Sequence, residues 1–423
     1  MEPKSMTAKR LALICDDHMT RVETWASKVR PFLGDEWEVE VVTGNDLVTM
    51  VEALSDAERP WREAAGKQLD SASLRSHLSE RDLAMLDRLD TAELLILDSD
   101  LTPNSNDLAK LGIDGDAVNR ALRNQSGETL ARQLRSFTSA GYLVVVNRFF
   151  GDRFFDLTMS KWNSGFADLY ITNADIGDSA LWTGQPAQGT FNPWSWPLLR
   201  ERLDALPAAI QYVTENLDEV IFSKLDLDPD DLAPEQFDAF SHLTNPETAT
   251  FRSLAWSSLG FRFEVLGAPE EQVHRMVASV LLRWLARSVV APQNILLDVP
   301  HLVARHPRAF GDNVGDPYFW NSMAAKSGVP AAALSPVKEA LSPVSKLVGR
   351  PVYSSEKIRE LSPGFTSSAV PALPLVFAED VSRFFDRDDL QQFTSKLPGT
   401  YFRRFVRVPE GEEVDYRPSV RLR

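Results

Sequence analysis

Cysteine is almost missing from this 423-residue chain: Cys15 is the only one, so neither an intramolecular disulfide nor a cysteine-rich zinc site can form. Long apolar runs are missing as well. The longest are strand-sized, well short of the roughly 20 residues that a membrane-spanning helix needs, so no membrane partner is expected. Basic charge is in deficit, with Lys+Arg 45 against Asp+Glu 60 and a net charge of −15. Such a field repels phosphate backbones and makes nucleic acid an unfavourable main partner. No stretch matches the G-x-x-x-x-G-K-[ST] phosphate loop, the G-x-G-x-x-G dinucleotide fingerprint or the G-x-S-x-G elbow. Residues 1–10 carry charges with no apolar secretory core behind them, which makes the cytoplasm the expected compartment.

What is present describes a globular chain of two or three domains, 43% hydrophobic and 25% charged. Short apolar runs alternate with amphipathic stretches through the first half, the pattern of a parallel α/β sheet. Leu11-Ala-Leu-Ile-Cys15, Trp37-Glu-Val-Glu-Val-Val42, Glu93-Leu-Leu-Ile-Leu-Asp98, Tyr142-Leu-Val-Val-Val146 and Asp168-Leu-Tyr-Ile-Thr172 read as strands. Helical spacing covers 21–32, closed by Gly34, and much of 46–92, where Ser79 and Asp90 are candidate caps. Ser126 is placed to cap a further helix over 127–139. The expected fold is an α/β sandwich on a five-stranded parallel sheet of order 2-1-3-4-5, followed by a mainly helical α+β C-terminal domain. The expected division is 1–190, a helical linker region 191–250, and an output or interaction domain 251–423. Within the last, 269–290 reads as one amphipathic helix with Val273, Met276, Val277, Val280, Leu281, Trp284 and Leu285 on a stripe.

The chemistry sits in the acids. Asp16 and Asp17 follow the first strand and Asp98 ends the third. In a parallel sheet the carboxyl ends of the strands share one edge, where ligands bind. With strands one and three adjacent, these carboxylates converge, and clustered oxygen ligands suit a hard divalent cation such as Mg2+. A carboxylate beside such a cation can accept a phosphoryl group. The bland alternative is that strand-end aspartates cap the helices and loops that follow.

Here the chain resembles the receiver domain of response regulators. The resemblance rests on Ile14-Cys-Asp-Asp-His18, on Leu94-Leu-Ile-Leu-Asp98 with Leu101-Thr-Pro103, on Gly127-Glu-Thr-Leu-Ala-Arg-Gln-Leu-Arg135 and on Gly165-Phe-Ala-Asp-Leu-Tyr170. It covers about residues 9–180. It implies a flavodoxin-like receiver sandwich with Asp98 as phosphoacceptor, and Mg2+ held by Asp16, Asp17, Asp98 and the backbone carbonyl of Asp100. It also implies a histidine kinase or kinase-like ATPase as phosphodonor, and a protein partner reached through the C-terminal domain. The departures are Asn147, where the family has Ser or Thr, and Asn173, where it has Lys. They predict a divergent receiver with weakened or lost phosphotransfer unless Arg148 or Arg153 replaces the missing cation.

Elsewhere, Asp298, His301 and His306 are the candidates for a C-terminal hydrolase or nuclease, although Pro300 and the spacing favour a structural role. A scaffold subunit of a larger complex is the third reading. Cys15 and the tryptophans read as core. The arginines of 403–423 are interleaved with acids and read as a solvated surface.

Overall fold

A computed structural model describes residues 9–64, 77–101, 122, 125–147, 166–173, 175–183, 199–240, 243–255, 269–290, 292–306, 335–361, 375–378, 383–393 and 404–406. Two compact units divide the chain. The first takes in Met1–Asp152, Ser164–Thr183 and Ala255–Ser279, and the second Arg153–Asn163, Gly184–Leu254 and Val280–Arg423.

The first unit is built on five parallel strands: β1 Arg10–Cys15, β2 Trp37–Val42, β3 Ala92–Asp98, β4 Tyr142–Asn147 and β5 Leu169–Thr172. Their order in the sheet is β2-β1-β3-β4-β5, with every neighbouring pair parallel. Ala12 to Cys15, Leu94 to Leu97 and Leu143 to Val146 are buried, as central parallel strands covered on both faces require. Its helices include α1 Met19–Leu33, α2 Gly44–Ala64, α3 Glu80–Thr91 and α4 Gly127–Phe137. Helix α1 buries Val22, Trp25, Ala26, Val29 and Leu33, one stripe at helical spacing, and stops at Gly34 with φ 81. Ser79 caps α3 by accepting from the Asp82 N–H, and Ser126 caps α4 by accepting from the Thr129 N–H.

Two glycine and cap details fix the sheet edges. Gly127 lies so close to β3 that a Cβ there would stand 2.3 Å from the Asp98 carbonyl oxygen. Only glycine lets the start of α4 approach the end of β3 this closely. Asp90, expected as a cap, instead lies buried in the last turn of α3. Its Oδ1 accepts the Ser139 N–H at 2.7 Å and its Oδ2 accepts the Gln272 amide at 2.9 Å.

The second unit contains α5 Leu199–Asn216, the 296–298 strand β6, helix α6 Val299–Arg305 and strand β7 Val352–Ser354, with β6 and β7 antiparallel. A four-stranded sheet holds β8 Leu375–Ala378, β9 Arg383–Asp386, β10 Gln391–Phe393 and β11 Arg404–Val406 in the order β10-β11-β8-β9. Trp284 is buried against Phe222 and Phe240 at centroid distances of 5.9 and 5.0 Å, and its indole N–H donates to the Gln236 carbonyl at 2.7 Å. The helix expected over 269–290 is α-helical only for Glu270–Trp284. Leu285–Val290 winds as a π-helix, where the Gln236 side-chain amide donates to the Ser288 carbonyl from outside the ladder. No helix among the described residues is long and apolar enough to cross a membrane.

Candidate metal centre

Register decides where the acids meet. Cys15 of β1 lies opposite Leu97 of β3, so the residues that follow each, Asp16 and Asp98, emerge side by side at the carboxyl edge of the sheet. Asp17 joins them, and one carboxylate oxygen from each of the three residues lies within 4.8 Å of the others. Asp16 and Asp98 are fully buried, and the Asp17 side chain is nearly so.

Local structure aims each carboxylate. Asp16 Oδ1 accepts the His18 N–H at 2.9 Å, just before α1 begins. Asp98 Oδ1 accepts the Asp100 N–H at 3.3 Å. Asp100 in turn forms a bridge with Ser126, and the Gly127 N–H donates to the Ser99 carbonyl at 3.2 Å, which fastens the chain after β3 to the start of α4.

A cation already stands among these acids, and it is one that the sequence reading missed. Arg21, in the first turn of α1, places a single guanidinium nitrogen, Nη1, 2.6 Å from Asp98 Oδ2, 3.1 Å from Asp16 Oδ1 and 3.8 Å from Asp17 Oδ1. The signal was there in the Asp17–Arg21 spacing of i, i+4 at a helix start. What no local pattern shows is the reach to Asp98, 77 residues away in sequence. Arg148 and Arg153 lie outside the described residues.

The other two expected pocket residues have separate places. Asn147 ends β4, buried, in register with Thr172 of β5. Asn173 follows β5, and its Oδ1 accepts the indole N–H of Trp25 at 2.7 Å. Trp25 is one turn beyond Arg21 on the same face of α1. The same helix therefore holds Asn173 through Trp25 and brings the Arg21 guanidinium to the acids.

Burial above all, then the adjacent Asp17 carboxyl and repulsion from Asp98, push the Asp16 carboxyl up to about 9, against the pull of Arg21 and of the His18 N–H. Asp16 Oδ2 and Asp17 Oδ1 are buried without a hydrogen-bond partner. Orphaned buried carboxylate oxygens are costly, and a donor set made only of oxygens fits a hard divalent cation. The residues present thus fit Mg2+.

The C-terminal candidates are arranged differently. Asp298 caps α6: its side chain accepts the His301 N–H at 3.3 Å and meets His301 Nδ1 at 2.6 Å. Gln293 clasps the same residue, its Oε1 accepting the Asp298 N–H at 2.9 Å. Burial pushes the Asp298 carboxyl up, but His301 and then Arg350 outweigh it and hold that carboxyl well below the usual range. His306, buried at the other end of α6, is pushed down to about 4 by burial and by Arg305 and Arg359. Among the described residues Asp298, His301 and His306 do not form a metal-capable group; Asp16, Asp17 and Asp98 do. Cys15 is buried in β1, its thiol pushed up to about 12 chiefly by burial, as suits an inert core residue.

No family model matches this chain, and neither the curated proteins nor the solved structures contain a match to it.

Proposed function

We propose that this chain is a regulatory protein in which the first unit works as a receiver-like domain and the second unit passes its state to a protein partner. The observation that supports this most directly is the meeting of Asp16, Asp17 and Asp98 at the carboxyl edge of a 2-1-3-4-5 parallel sheet. In this reading the fold is a flavodoxin-like receiver sandwich, and Asp16, Asp17, Asp98 and the Asp100 backbone hold Mg2+. The cation supplies neutralisation of the charge on the transferred phosphoryl oxygens. The chain's own residues supply the rest. An Asp98 carboxylate oxygen attacks phosphorus, the bond from phosphorus to the donor breaks, and the donor leaves with that electron pair and takes up a proton. The product is an acyl phosphate on Asp98. A phosphohistidine of a kinase or kinase-like ATPase is a donor of the right class. Asn147 and Asn173, at the places where a hydroxyl and a lysine would clamp the phosphoryl group, make this a slow receiver.

The experiment is labelling by a small acyl-phosphate donor with Mg2+. Wild type takes up label on one residue, and Asp98→Ala abolishes it. Label that survives in Asp98→Ala, or wild type that takes none, defeats phosphotransfer at this site.

A further inference from the structure

From the position of one nitrogen we infer that Arg21 is a tethered competitor for the divalent cation: guanidinium and metal hold the same point, so the metal enters only when Arg21 leaves. This rests on reading the acid pocket as a cation site. Three distances carry it. Nη1 stands 2.6, 3.1 and 3.8 Å from oxygens of Asp98, Asp16 and Asp17, the same residues whose oxygens converge within 4.8 Å. A metal bonded to those carboxylates at 2.0–2.1 Å would lie inside the contact distance of that nitrogen. Both cannot be there.

The surroundings allow the exchange. Asp16 and Asp98 are fixed at strand ends and fully buried, whereas the Arg21 side chain is 22% exposed and hangs from the first turn of α1. Its departure moves a long flexible side chain toward solvent and leaves the sheet as it is. Binding capacity is also left over with Arg21 in place: Asp16 Oδ2, in a fully buried side chain, has no hydrogen-bond partner. One guanidinium therefore does not saturate the site. A divalent cation brings more charge and shorter bonds to the same oxygens. The arginine sets a threshold concentration below which the pocket stays closed on itself, and it keeps Asp98 engaged until that threshold is passed.

The test is Mn2+ binding to the full chain, followed by electron paramagnetic resonance of the free ion, in wild type, Arg21→Gln and Arg21→Lys. Gln keeps the length and polarity and removes the charge. Arg21→Gln should bind Mn2+ at least about tenfold more tightly than wild type, the factor that about 1.4 kcal/mol of lost competition represents. Arg21→Lys, still cationic, should stay near wild type. Equal or weaker binding in a folded Arg21→Gln overturns the competition while leaving the acid pocket as a cation site. An absence of binding in both proteins removes the competition and the pocket reading together. Should Arg21→Gln fail to fold, 15N spectra of arginine-labelled wild type decide the matter. The Arg21 guanidinium should be rotationally restricted without metal and released at saturating Mg2+. Continued restriction in the metal-bound protein overturns the proposal.

Discussion

The two edges of the parallel sheet treat buried charge in opposite ways. At the amino edge, Arg135 is bonded to the Asp168 carboxylate and donates to the carbonyls of Ala140 and Gly141 at 2.9 and 2.8 Å. Asp168 Oδ2 also accepts the Leu143 N–H at 2.7 Å. Nearby, Asp90 takes Ser139 and Gln272. These carboxylates tie strand starts to helix ends and meet opposite charge or fixed donors. At the carboxyl edge, among the described residues, Asp16, Asp17 and Asp98 gather around the Arg21 guanidinium, and Asp16 Oδ2 and Asp17 Oδ1 are buried without a hydrogen-bond partner. The difference lies in bonding: the amino-edge carboxylates are met by donors, whereas Asp16 and Asp17 each keep one oxygen without a hydrogen-bond partner. It does not lie in burial, since Asp16 and Asp98 are no less buried than Asp90 and Asp168.

Removing one partner at the amino edge should have the largest effect. Asp168→Ala leaves the Arg135 guanidinium buried and strips an acceptor from the start of β4. Loss of one member of a buried pair costs about 3–5 kcal/mol. Urea unfolding should show a drop of that size. A change below about 1 kcal/mol, the ordinary value of a surface pair, would erase the contrast between the two edges.

At the carboxyl edge the sign should reverse. The Asp16 carboxyl is raised in the folded chain to about 9, whereas an unfolded aspartate titrates near 3.9. Between those values the unfolded chain gives up its proton and the folded chain keeps it, so stability falls as pH rises from about 4 to about 9. Asp16→Asn keeps an acceptor for the His18 N–H and cannot ionise. It should therefore stabilise the metal-free protein at pH 7 by about 1–3 kcal/mol, the usual cost of an unsatisfied buried polar group. It should also flatten the decline in melting temperature between pH 5 and 9. Destabilisation by Asp16→Asn would mean that the carboxylate is satisfied after all.

Much of this sheet was legible because each strand is a short apolar run that ends on a polar residue, and because parallel strands expose those ends together. The triad of acids followed from that alone. Ser79 and Ser126 were legible as caps since a hydroxyl just before a helix needs only local geometry. Asp90 looked like a cap for the same reason, but its partners, Ser139 and Gln272, come from distant segments that no spacing rule reaches. Arg21 was half visible, as an i, i+4 pair with Asp17. Its contact with Asp98 depends on the β1–β3 pairing and on a long side chain's rotamer. In the second unit, β6 and β7 are three residues each and pair Leu296 with Ser354. Runs so short carry almost no alternation, which is why that unit resisted reading.

The smallest effect should come from Asp298, a partly exposed acid that is well bonded where Asp16 is fully buried and is not. Asp298 is held below the usual carboxylate range by His301 and Arg350 despite its partial burial, so its contribution runs the other way with pH. It is present above the unfolded value near 3.9 and fades as acid protonates the folded carboxylate. Asp298→Ala removes the cap of α6 and should cost about 1 kcal/mol near neutral pH, in the middle of the range for lost helix caps. The gap between variant and wild type should shrink as the pH is lowered toward 3. Mn2+ binding should not change, because the triad at the sheet edge contains none of the residues that Asp298 touches. If Asp298→Ala instead abolished cation binding, the line drawn between bonded and unbonded carboxylates would be the wrong criterion for locating the site.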